Sequence, residues 1–335
     1  MPRQPAERPA PTYPGGDGMS GSVVGLALGG GGIRGLAHVG VIQVLAEAGL
    51  EPDLLAGTSM GSLVAAIYAL GWSPGAMEEL AFTLRREDIY DPTLRWQDLV
   101  SLAVRLAASF YGWSRSQARP PAGLLRGDKL EGVVRRVTGD ARWRDLRRPL
   151  AIMATDIASA CPVVFAPEAF GPSIASHLQG AAVISDATLA EACRSSTAVP
   201  GIFTPRRLGA RLLVDGGVSD NVPVAVLRAM GADMVVAVDV ARPTQREAEA
   251  LWEVIAASFA VVTEARVREQ LSRHADVVIR PMVPDLSLLD FDHAAESIQA
   301  GREAARAILP DLILRLGRPP QDLGLTTATA APPPA

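Results

Sequence analysis

Residues 54–68 read LLAGTSMGSLVAAIY and are the most informative stretch of this chain for its fold. The apolar run before Ser59 predicts a buried strand and the residues after it predict a helix, so the serine stands at a sharp turn between the two. Gly57 and Gly61 flank it at positions where a Cβ would clash with neighbouring chain. A serine held at the start of a helix is positioned to attack a carbonyl carbon, which makes Ser59 a candidate nucleophile. Because glycine- and serine-rich turns match this pattern by chance, the interpretation depends on the rest of the sequence.

A second glycine-rich turn lies upstream, where residues 29–35 read GGGGIRG. It follows the apolar run 22–28 and precedes residues 36–45, whose apolar positions recur at helical spacing. Such a turn presents free backbone N–H groups and the positive end of a helix dipole, and so it binds a negative oxygen. That oxygen belongs either to a nucleotide phosphate or to the oxyanion of a tetrahedral acyl intermediate.

The spacing of nearby carboxylates bears on the nucleotide alternative. Gly30, Gly32 and Gly35 satisfy the G-x-G-x-x-G fingerprint, which also requires a carboxylate about 20 residues further on, at the end of the second strand. Glu51 and Asp53 lie near that distance, but they precede the next apolar run instead of ending it. The sequence therefore favours an oxyanion site, and we expect no binding of NAD, FAD or ATP.

A third candidate site residue is Asp215, in residues 212–217, which read LLVDGG. An Asp-Gly pair alone is more often an ordinary turn. On the same chain as the glycine run and the Ser59 turn, and in that order, this aspartate becomes a candidate base. A carboxylate is a poor base at its reference pKa of about 3.9, but burial by the preceding apolar strand raises the pKa and improves it.

Taken together and in order, these blocks resemble the patatin-like phospholipase family, in its bacterial branch. The glycine run, the Ser59 turn and the Asp215 turn match the three motifs of the family. The connecting blocks match as well, at residues 154–156, 194–203, 220–224 and 230–240. The likeness extends over about residues 22–285. One departure is Gly29, where many members have aspartate, and it affects no catalytic role.

The resemblance implies a Ser–Asp dyad that works without histidine. Ser59 would be the nucleophile and Asp215 the proton acceptor. The oxyanion hole would consist of the backbone N–H groups of Gly30, Gly31 and Gly32. Arg34 would either contact a lipid phosphate or, as we favour, form a structural ion pair. The implied activity is that of a serine lipid acyl hydrolase (phospholipase, lysophospholipase or esterase) acting on an acyl lipid through an acyl-enzyme, with no metal and no organic cofactor.

Two alternatives stay open from the residues alone. The order along the chain allows a Ser-His-Asp triad of Ser59, Asp239 and His274, although no role would then remain for Asp215. His38 is predicted to be a packed helical histidine. The sequence also does not separate an enzyme from a regulatory protein on the same scaffold, although such a protein would be expected to have lost Ser59 or Asp215.

Length and composition indicate one large domain. The 335 residues are 48% hydrophobic, enough for a substantial core. Strand-like runs alternate with helical patterns, which predicts an α/β fold with a mostly parallel central sheet covered by helices on both faces. The proline-rich segments 1–21 and 319–335 are predicted to be disordered tails. The catalytic domain is predicted over residues 22–318, with a motif-bearing core at 24–229, a helical lid-like insertion at 85–148 and a C-terminal helix at 286–316.

Charge is distributed unevenly along the chain. The net charge is −4, whereas residues 85–148 contain 14 Arg or Lys and 8 Asp or Glu. Within this basic segment, residues 99–113 are too apolar for one face of a well-solvated helix, and a helix packed over the core is favoured over a lid or a membrane-contacting helix. The segment also predicts peripheral contact with an anionic membrane surface. The acidic chain as a whole disfavours nucleic acid as a partner.

Targeting and redox signals are sparse. The first residues lack the apolar core and cleavage site of a signal peptide. Cys161 and Cys193 are the only cysteines, and they make neither a disulfide framework nor a zinc site. We therefore expect a cytoplasmic protein, with peripheral contact at the inner membrane surface.

Overall fold

The computed structural model describes residues 22–93, 122–241, 251–283 and 293–316, with only the backbone described for residues 251–260. The predicted tails, the apolar residues 99–113 and residues 286–292 lie outside these ranges. Eleven strands are found in the described ranges. They are β1 Val24–Leu28, β2 Leu54–Thr58, β3 Gly123–Leu125, β4 Leu150–Asp156, β5 Cys161–Phe165, β6 Ala182–Ile184, β7 Gly201–Phe203, β8 Arg206–Leu208, β9 Arg211–Asp215, β10 Met234–Val238 and β11 Val277–Ile279.

Nine of these described strands form one sheet with a parallel core. Its order is β11-β10-β1-β2-β4-β5-β6, with β9 beside β4 and β8 beside β9. β1 pairs in parallel with β10 and β2, and β2 pairs in parallel with β4. β4 pairs antiparallel with β5 and β9. The predicted, mostly parallel sheet is confirmed, and the parallel pairing of β1 with β2 brings the glycine run and the Ser59 turn to the same edge.

Helices cover both faces of this sheet, as predicted. Alternate residues of β1 point to opposite faces, since Leu26 belongs to the buried cluster that contains helical residues 37–45 and 294–313, whereas Ala27 belongs to the cluster that contains helical residues 224–229 and 267–271. The described ranges also contain four short 3-10 helices, at Gly32–Leu36, Trp143–Asp145, Glu168–Phe170 and Gly216–Val218. The described α-helices are α1 Ala37–Glu47, α2 Met60–Ala69, α3 Pro74–Thr83, α4 Arg86–Ile89, α5 Asp128–Thr138, α6 Gly171–His177, α7 Leu189–Ser196, α8 Val224–Ala229, α9 Leu251–His274 and α10 Ala294–Arg315.

Helix α7 is fixed at its start by a capping box. The Thr188 hydroxyl accepts the N–H of Glu191, and the Glu191 carboxylate accepts the N–H of Thr188. A cap of this kind stabilises a helix by about 1 kcal/mol. The helix ends at Ser196, which is fully buried and lies against the Ser59 turn.

The antiparallel strand β9 brings Asp215 to the Ser59 turn. β2 pairs with β4 as far as Thr58, which lies opposite Met153. At the next position of β4, Ala154 lies opposite Asp215, the last residue of β9. Because β5 occupies the other edge of β4, β9 continues along the edge that β2 leaves, in the opposite direction. The ends of β2 and β9 therefore meet.

The described parts of the predicted insertion 85–148 pack against the domain. β3 pairs with β7, and the side chains of Leu130, Val134 and Trp143 are buried. The prediction for residues 99–113 falls outside the described ranges. None of the helices in those ranges combines the length and apolar character needed to span a bilayer.

Candidate active site

Ser59 occupies a strained turn of the backbone. Its φ is 53° and its ψ is −125°, a positive-φ conformation that costs a residue with a side chain roughly 1–3 kcal/mol. β2 ends directly before it and α2 begins directly after it. A Cβ on Gly57 would lie 2.6 Å from the carbonyl oxygen of Gly61. A Cβ on Gly61 would clash even more severely with the carbonyl oxygen of Leu28. Both flanking glycines therefore have the steric role expected from the sequence.

Three hydrogen bonds that involve side chains hold the Ser59 turn. The Ser59 N–H donates to Oγ of Ser196 at 2.9 Å, and Oγ of Ser62 donates to the Ser59 carbonyl oxygen at 2.6 Å. Oγ1 of Thr58 donates to the carbonyl oxygen of Asp220 at 3.0 Å, which ties the turn to the loop after β9. No role for Ser196 could be predicted from the sequence, because nothing in residues 194–203 marks which hydroxyl reaches the turn.

The two carboxylate oxygens of Asp215 have different surroundings. Oδ1 accepts the N–H of Gly217 at 2.7 Å. Oδ2 is buried and, within the described ranges, accepts no hydrogen bond of ordinary geometry, yet the Ser59 hydroxyl is near enough to lower the pKa of the carboxyl. Burial outweighs both contacts and raises the pKa of Asp215 to about 6. The apolar strand thus has the effect on this carboxylate that the sequence predicted.

The glycine run turns beside Ser59, at the carboxyl end of β1. A Cβ on Gly30 would lie 3.0 Å from Cβ of Ser59. The Gly30 N–H donates to the carbonyl oxygen of Asn221 at 3.1 Å and is not available to an oxyanion. Among the described residues, no acceptor is found for the N–H groups of Gly31 and Gly32, and both glycines are partly exposed. Of the three glycines predicted to form an oxyanion hole, Gly31 and Gly32 are the ones whose N–H groups have no acceptor in the described part of the chain.

Two side chains that follow the glycine run form hydrogen bonds with its carbonyl oxygens. His38 is fully buried, and burial lowers its pKa to about 4 although its bond to Gly29 opposes the shift. Its Nε2 lies 2.7 Å from the Gly29 carbonyl oxygen and carries the hydrogen, because a carbonyl only accepts. Nε of Arg34 donates to the carbonyl oxygen of Gly31 at 3.5 Å. Arg34 thus faces its own loop, and its contact with a lipid phosphate stays a prediction.

The sequence was compared with models of known protein families to identify the family to which the chain belongs. The family model of patatin-like phospholipases matches residues 26–228, more than half of the chain. The chain belongs to the patatin-like phospholipase family. The match runs from β1 to α8 and contains the glycine run, the Ser59 turn and Asp215, so the resemblance drawn from these motifs is confirmed.

Relatives within this family are moderately similar. An uncharacterized NTE family protein of Mycobacterium tuberculosis is 34% identical over 221 residues, which are 66% of this chain and 50% of the relative. Patatin-like phospholipase domain-containing protein 7 of Rattus norvegicus is 26% identical over 312 residues, which are 84% of this chain and 20% of the relative. The chain therefore spans half or less of the length of these curated relatives.

Two solved structures are similar to this one over most of the chain. VipD from Legionella pneumophila matches 87% of this chain and 67% of its own, at 15% identity and a TM-score of 0.43. The type III effector ExoU matches 85% of this chain and 53% of its own, at 16% identity and a TM-score of 0.41. Both TM-scores are below 0.5, so the family assignment rests on the family model.

The Ser-His-Asp alternative is not assembled in this patatin-like chain. β11 runs parallel to β10, and His274 stands just before β11, at the amino edge of the sheet. Ser59 and Asp239 follow the carboxyl ends of β2 and β10. The length of a five-residue strand, about 15 Å, therefore separates His274 from the other two. Asp239 instead pairs with Arg280 at 3.3 Å.

The carboxylates of the nucleotide alternative also lie at the amino edge. Oδ2 of Asp53 accepts the N–H of Val24, the first residue of β1, at 2.8 Å. Glu51 pairs with Arg148. Neither carboxylate stands beside the glycine run at the other end of β1, where a ribose would need it.

Proposed function

We propose that this chain is a serine lipid acyl hydrolase that cleaves a phospholipid, lysophospholipid or related acyl ester through an acyl-enzyme. The observation that carries the proposal is the buried Asp215 carboxylate beside the Ser59 turn, with Oδ2 left without an ordinary hydrogen bond among the described residues. A serine hydroxyl attacks only when a base takes its proton. Asp215 supplies that base, and the proposed dyad uses no histidine.

In the first half of the proposed reaction, Oγ of Ser59 attacks the ester carbonyl carbon while Oδ2 of Asp215 accepts the hydroxyl proton. The carbonyl oxygen becomes an oxyanion that accepts hydrogen bonds from Gly31 and Gly32. Each such donor stabilises the transition state by roughly 3–4 kcal/mol. The ester C–O bond then breaks, the alcohol leaves with the proton held by Asp215, and the acyl group stays on Ser59.

In the second half, a water molecule attacks the acyl-enzyme carbonyl. Asp215 accepts a proton from the water, and the same backbone donors hold the second oxyanion. When the bond to Oγ breaks, the fatty acid leaves and Ser59 recovers the proton. Release of p-nitrophenol from p-nitrophenyl acyl esters by the purified chain tests the proposal. A folded protein without turnover on any acyl length would favour the regulatory-scaffold alternative.

An apolar cavity beside the nucleophile supports an acyl chain as part of the substrate. It lies among α1 to α5, opens to solvent, and is lined by apolar side chains with the single exception of Thr138. Its wall includes Met60, the residue directly after Ser59, and Leu36, which ends the 3-10 helix that starts in the glycine run. An almost wholly apolar lining that begins beside the nucleophile suits a hydrocarbon chain.

Filling this cavity should shorten the acyl chain that the enzyme prefers. Leu63→Trp places a larger side chain at its wall on α2. Loss of room for two or three methylene groups, at about 0.8 kcal/mol each, should lower kcat/KM for a long-chain ester by roughly 30-fold. Hydrolysis of an acetyl or butyryl ester should change less than about threefold, because a short chain leaves most of the cavity empty. The measurement is kcat/KM over a series of p-nitrophenyl esters.

The matched control for Leu63→Trp is Leu70→Trp, which lies two helical turns after Leu63, at the end of α2. Leu70 packs against the core but is not part of the cavity wall. This variant should keep the chain-length profile of the wild type. An equal loss on short and long esters in Leu63→Trp would show that the cavity does not hold the acyl chain.

Activity should fall at acidic pH as Asp215 takes up a proton. The pKa of Asp215 is raised to about 6, and only the ionised carboxylate can accept the Ser59 proton. The value of kcat/KM should therefore rise with pH through about 6, change about tenfold per pH unit below it and level off above it. A pH profile on a short ester, with circular dichroism to confirm folding, measures this.

Asp220 is the matched control for the pH profile, because burial raises its pKa to about 7 and it lies in the same loop. In Asp220→Asn the limb near pH 6 should keep its position. If the limb lies near 7 in the wild type and disappears in Asp220→Asn, then Asp215 is not the titrating base.

Three finer expectations stay predictions. Peripheral membrane contact depends on residues 99–113, which lie outside the described ranges. The absence of a metal or organic cofactor belongs to the proposed chemistry; within the described ranges, no group of three or more His, Cys, Asp or Glu side chains is arranged to hold a metal ion. The cytoplasmic location stays a prediction from the sequence.

A further inference from the structure

Asn221 is the only asparagine of the sequence, and its side chain lies between the two loops that carry the candidate site. On one side it meets the glycine run. The backbone carbonyl oxygen of Asn221 accepts the N–H of Gly30 at 3.1 Å, and the side-chain Nδ2 donates to the Gly30 carbonyl oxygen at 3.3 Å. On the other side it meets the turn after Asp215. A Cβ would lie 2.6 Å from Oδ1 of Asn221 if placed on Gly30 and 2.9 Å if placed on Gly217.

The bonds to Gly30 fix two successive peptide planes. A peptide unit is planar and trans, so its C=O and the following N–H point in opposite directions. Holding the Gly30 carbonyl with Nδ2 therefore points the N–H of Gly31 away from Asn221. The preceding peptide plane is held by His38 at the Gly29 carbonyl and by the backbone carbonyl of Asn221 at the Gly30 N–H, a bond that does not depend on the Asn221 side chain. The direction of the Gly31 donor is thus determined by one side chain.

The Asn221 side chain also contacts the turn that holds the proposed base, Asp215. The N–H of Gly217 donates to Oδ1 of Asp215 at 2.7 Å, and Asn221 fills the space directly beside Gly217. Keeping Gly217 in place keeps Oδ1 occupied and leaves Oδ2 to face Ser59.

We propose that Asn221 is a positioning residue that holds the Gly31 donor and the Asp215 base in register around Ser59. The inference rests on the proposed function. Donors stabilise an oxyanion only at hydrogen-bond distance from the place where the charge develops, and a displacement of about 1 Å costs roughly 100-fold in rate. Asn221 therefore acts on kcat and leaves substrate binding nearly unchanged.

The test compares Asn221→Ala with Ser219→Ala, a matched control in the same loop. Oγ of Ser219 accepts a hydrogen bond from Oγ1 of Thr155 at 2.9 Å and makes no bond to the glycine run. On a short p-nitrophenyl ester, Asn221→Ala should lower kcat by roughly 10–100-fold with KM changed less than about threefold, whereas Ser219→Ala should lower kcat less than about threefold. The rate at which a fluorophosphonate modifies Ser59 should fall together with kcat, because that reaction also builds negative charge on an oxygen in the hole.

A second variant covers the case in which Asn221→Ala does not fold. Asn221→Asp keeps the size that packs against Gly30 and Gly217, but it loses the Nδ2 donor and turns a carboxylate oxygen toward the Gly30 carbonyl. At about pH 8, where Asp215 is ionised, its kcat should fall as far as that of Asn221→Ala.

The variants distinguish a failure of the positioning role of Asn221 from a failure of the proposed function. Inactive Ser59→Ala together with a kcat near that of the wild type in both Asn221 variants would overturn the positioning role and leave the proposed function standing. Equal losses of kcat in Asn221→Ala and Ser219→Ala, in proportion to losses of melting temperature, would show that Asn221 only stabilises the loop. Hydrolysis by Ser59→Ala would instead refute the proposed function itself.

Discussion

Replacing Ser59 by alanine should reduce ester hydrolysis by roughly 10⁴-fold or more, because the oxyanion hole and substrate binding alone leave only a small part of the catalysis. The fold should remain intact. None of the three bonds that hold the turn uses the Ser59 hydroxyl. The Ser59 N–H donates to Ser196, the Ser59 carbonyl accepts from Ser62, and the third bond runs from Thr58 to Asp220. The measurement is the initial rate on a short p-nitrophenyl ester per folded molecule, with a thermal melt beside it.

Ser219→Ala serves as the control for this variant, because it removes another serine hydroxyl near the site. It should keep most of the activity. Retention of more than a few per cent of the wild-type rate in Ser59→Ala would place the nucleophile elsewhere in the chain.

Asp215→Asn should be nearly as damaging, with a loss of roughly 10³–10⁴-fold. The amide has the shape of the carboxylate and its oxygen can still accept the N–H of Gly217, but it cannot take the proton of Ser59. Since the two residues act as one unit, the double variant should be little slower than Ser59→Ala. A double variant whose loss equals the product of the two single losses would show that Asp215 does not act through Ser59.

The same substitution should not cost stability near neutral pH. The native pKa of Asp215 is about 6, above its ordinary value of 3.8. Between these values the native state binds more protons than the unfolded state, so the free energy of unfolding falls as pH rises through this window. Asp215→Asn removes that loss and should be at least as stable as the wild type above it. Lost activity in this variant therefore reports on chemistry and not on folding.

His274→Ala is the control for the triad alternative and should keep most of the activity. His274 lies at the amino edge of the sheet, and its backbone carbonyl accepts a bond from Nε of Arg228 at 3.0 Å. A thousandfold loss in this variant, with the fold intact, would contradict the geometry described for the site.

The Ser59 turn could be predicted from the sequence because its determinants are local. The apolar run of β2, the glycines on either side of the serine and the helical pattern after it are contiguous, and short-range steric clashes alone account for Gly57 and Gly61. The alternation of strands and helices likewise predicted the parallel core. Family motifs added the pairing of Ser59 with Asp215, which no local pattern contains.

The way in which Asp215 reaches Ser59 could not be predicted in the same manner. It depends on β9 pairing antiparallel with the last residues of β4, where β2 has ended. Neither the composition of β9 nor its alternation reveals its partner or its direction. Long-range strand pairing is decided by how the whole sheet closes, and the alternation of elements predicted only its dominant parallel part.

The glycine run shows the same limit on a smaller scale. Its sequence marks Gly30, Gly31 and Gly32 as equivalent donors. Only the structure distinguishes them, because the Gly30 N–H is taken by a carbonyl of Asn221, far along the chain. That bond uses the backbone of Asn221, which no sequence pattern marks; only the side-chain bond from Nδ2 to the Gly30 carbonyl depends on this residue being the one asparagine of the sequence.

Labelling with a fluorophosphonate tests the central claim most directly, because the probe reacts only with a nucleophile that a base has activated beside an oxyanion hole. Oγ of Ser59 forms a bond to phosphorus, fluoride leaves and the hydroxyl proton is released. Mass spectrometry of the digested protein should find one adduct, on Ser59, absent from Ser59→Ala and formed far more slowly in Asp215→Asn. An adduct on another residue, or no adduct on the folded wild-type protein, would contradict the account.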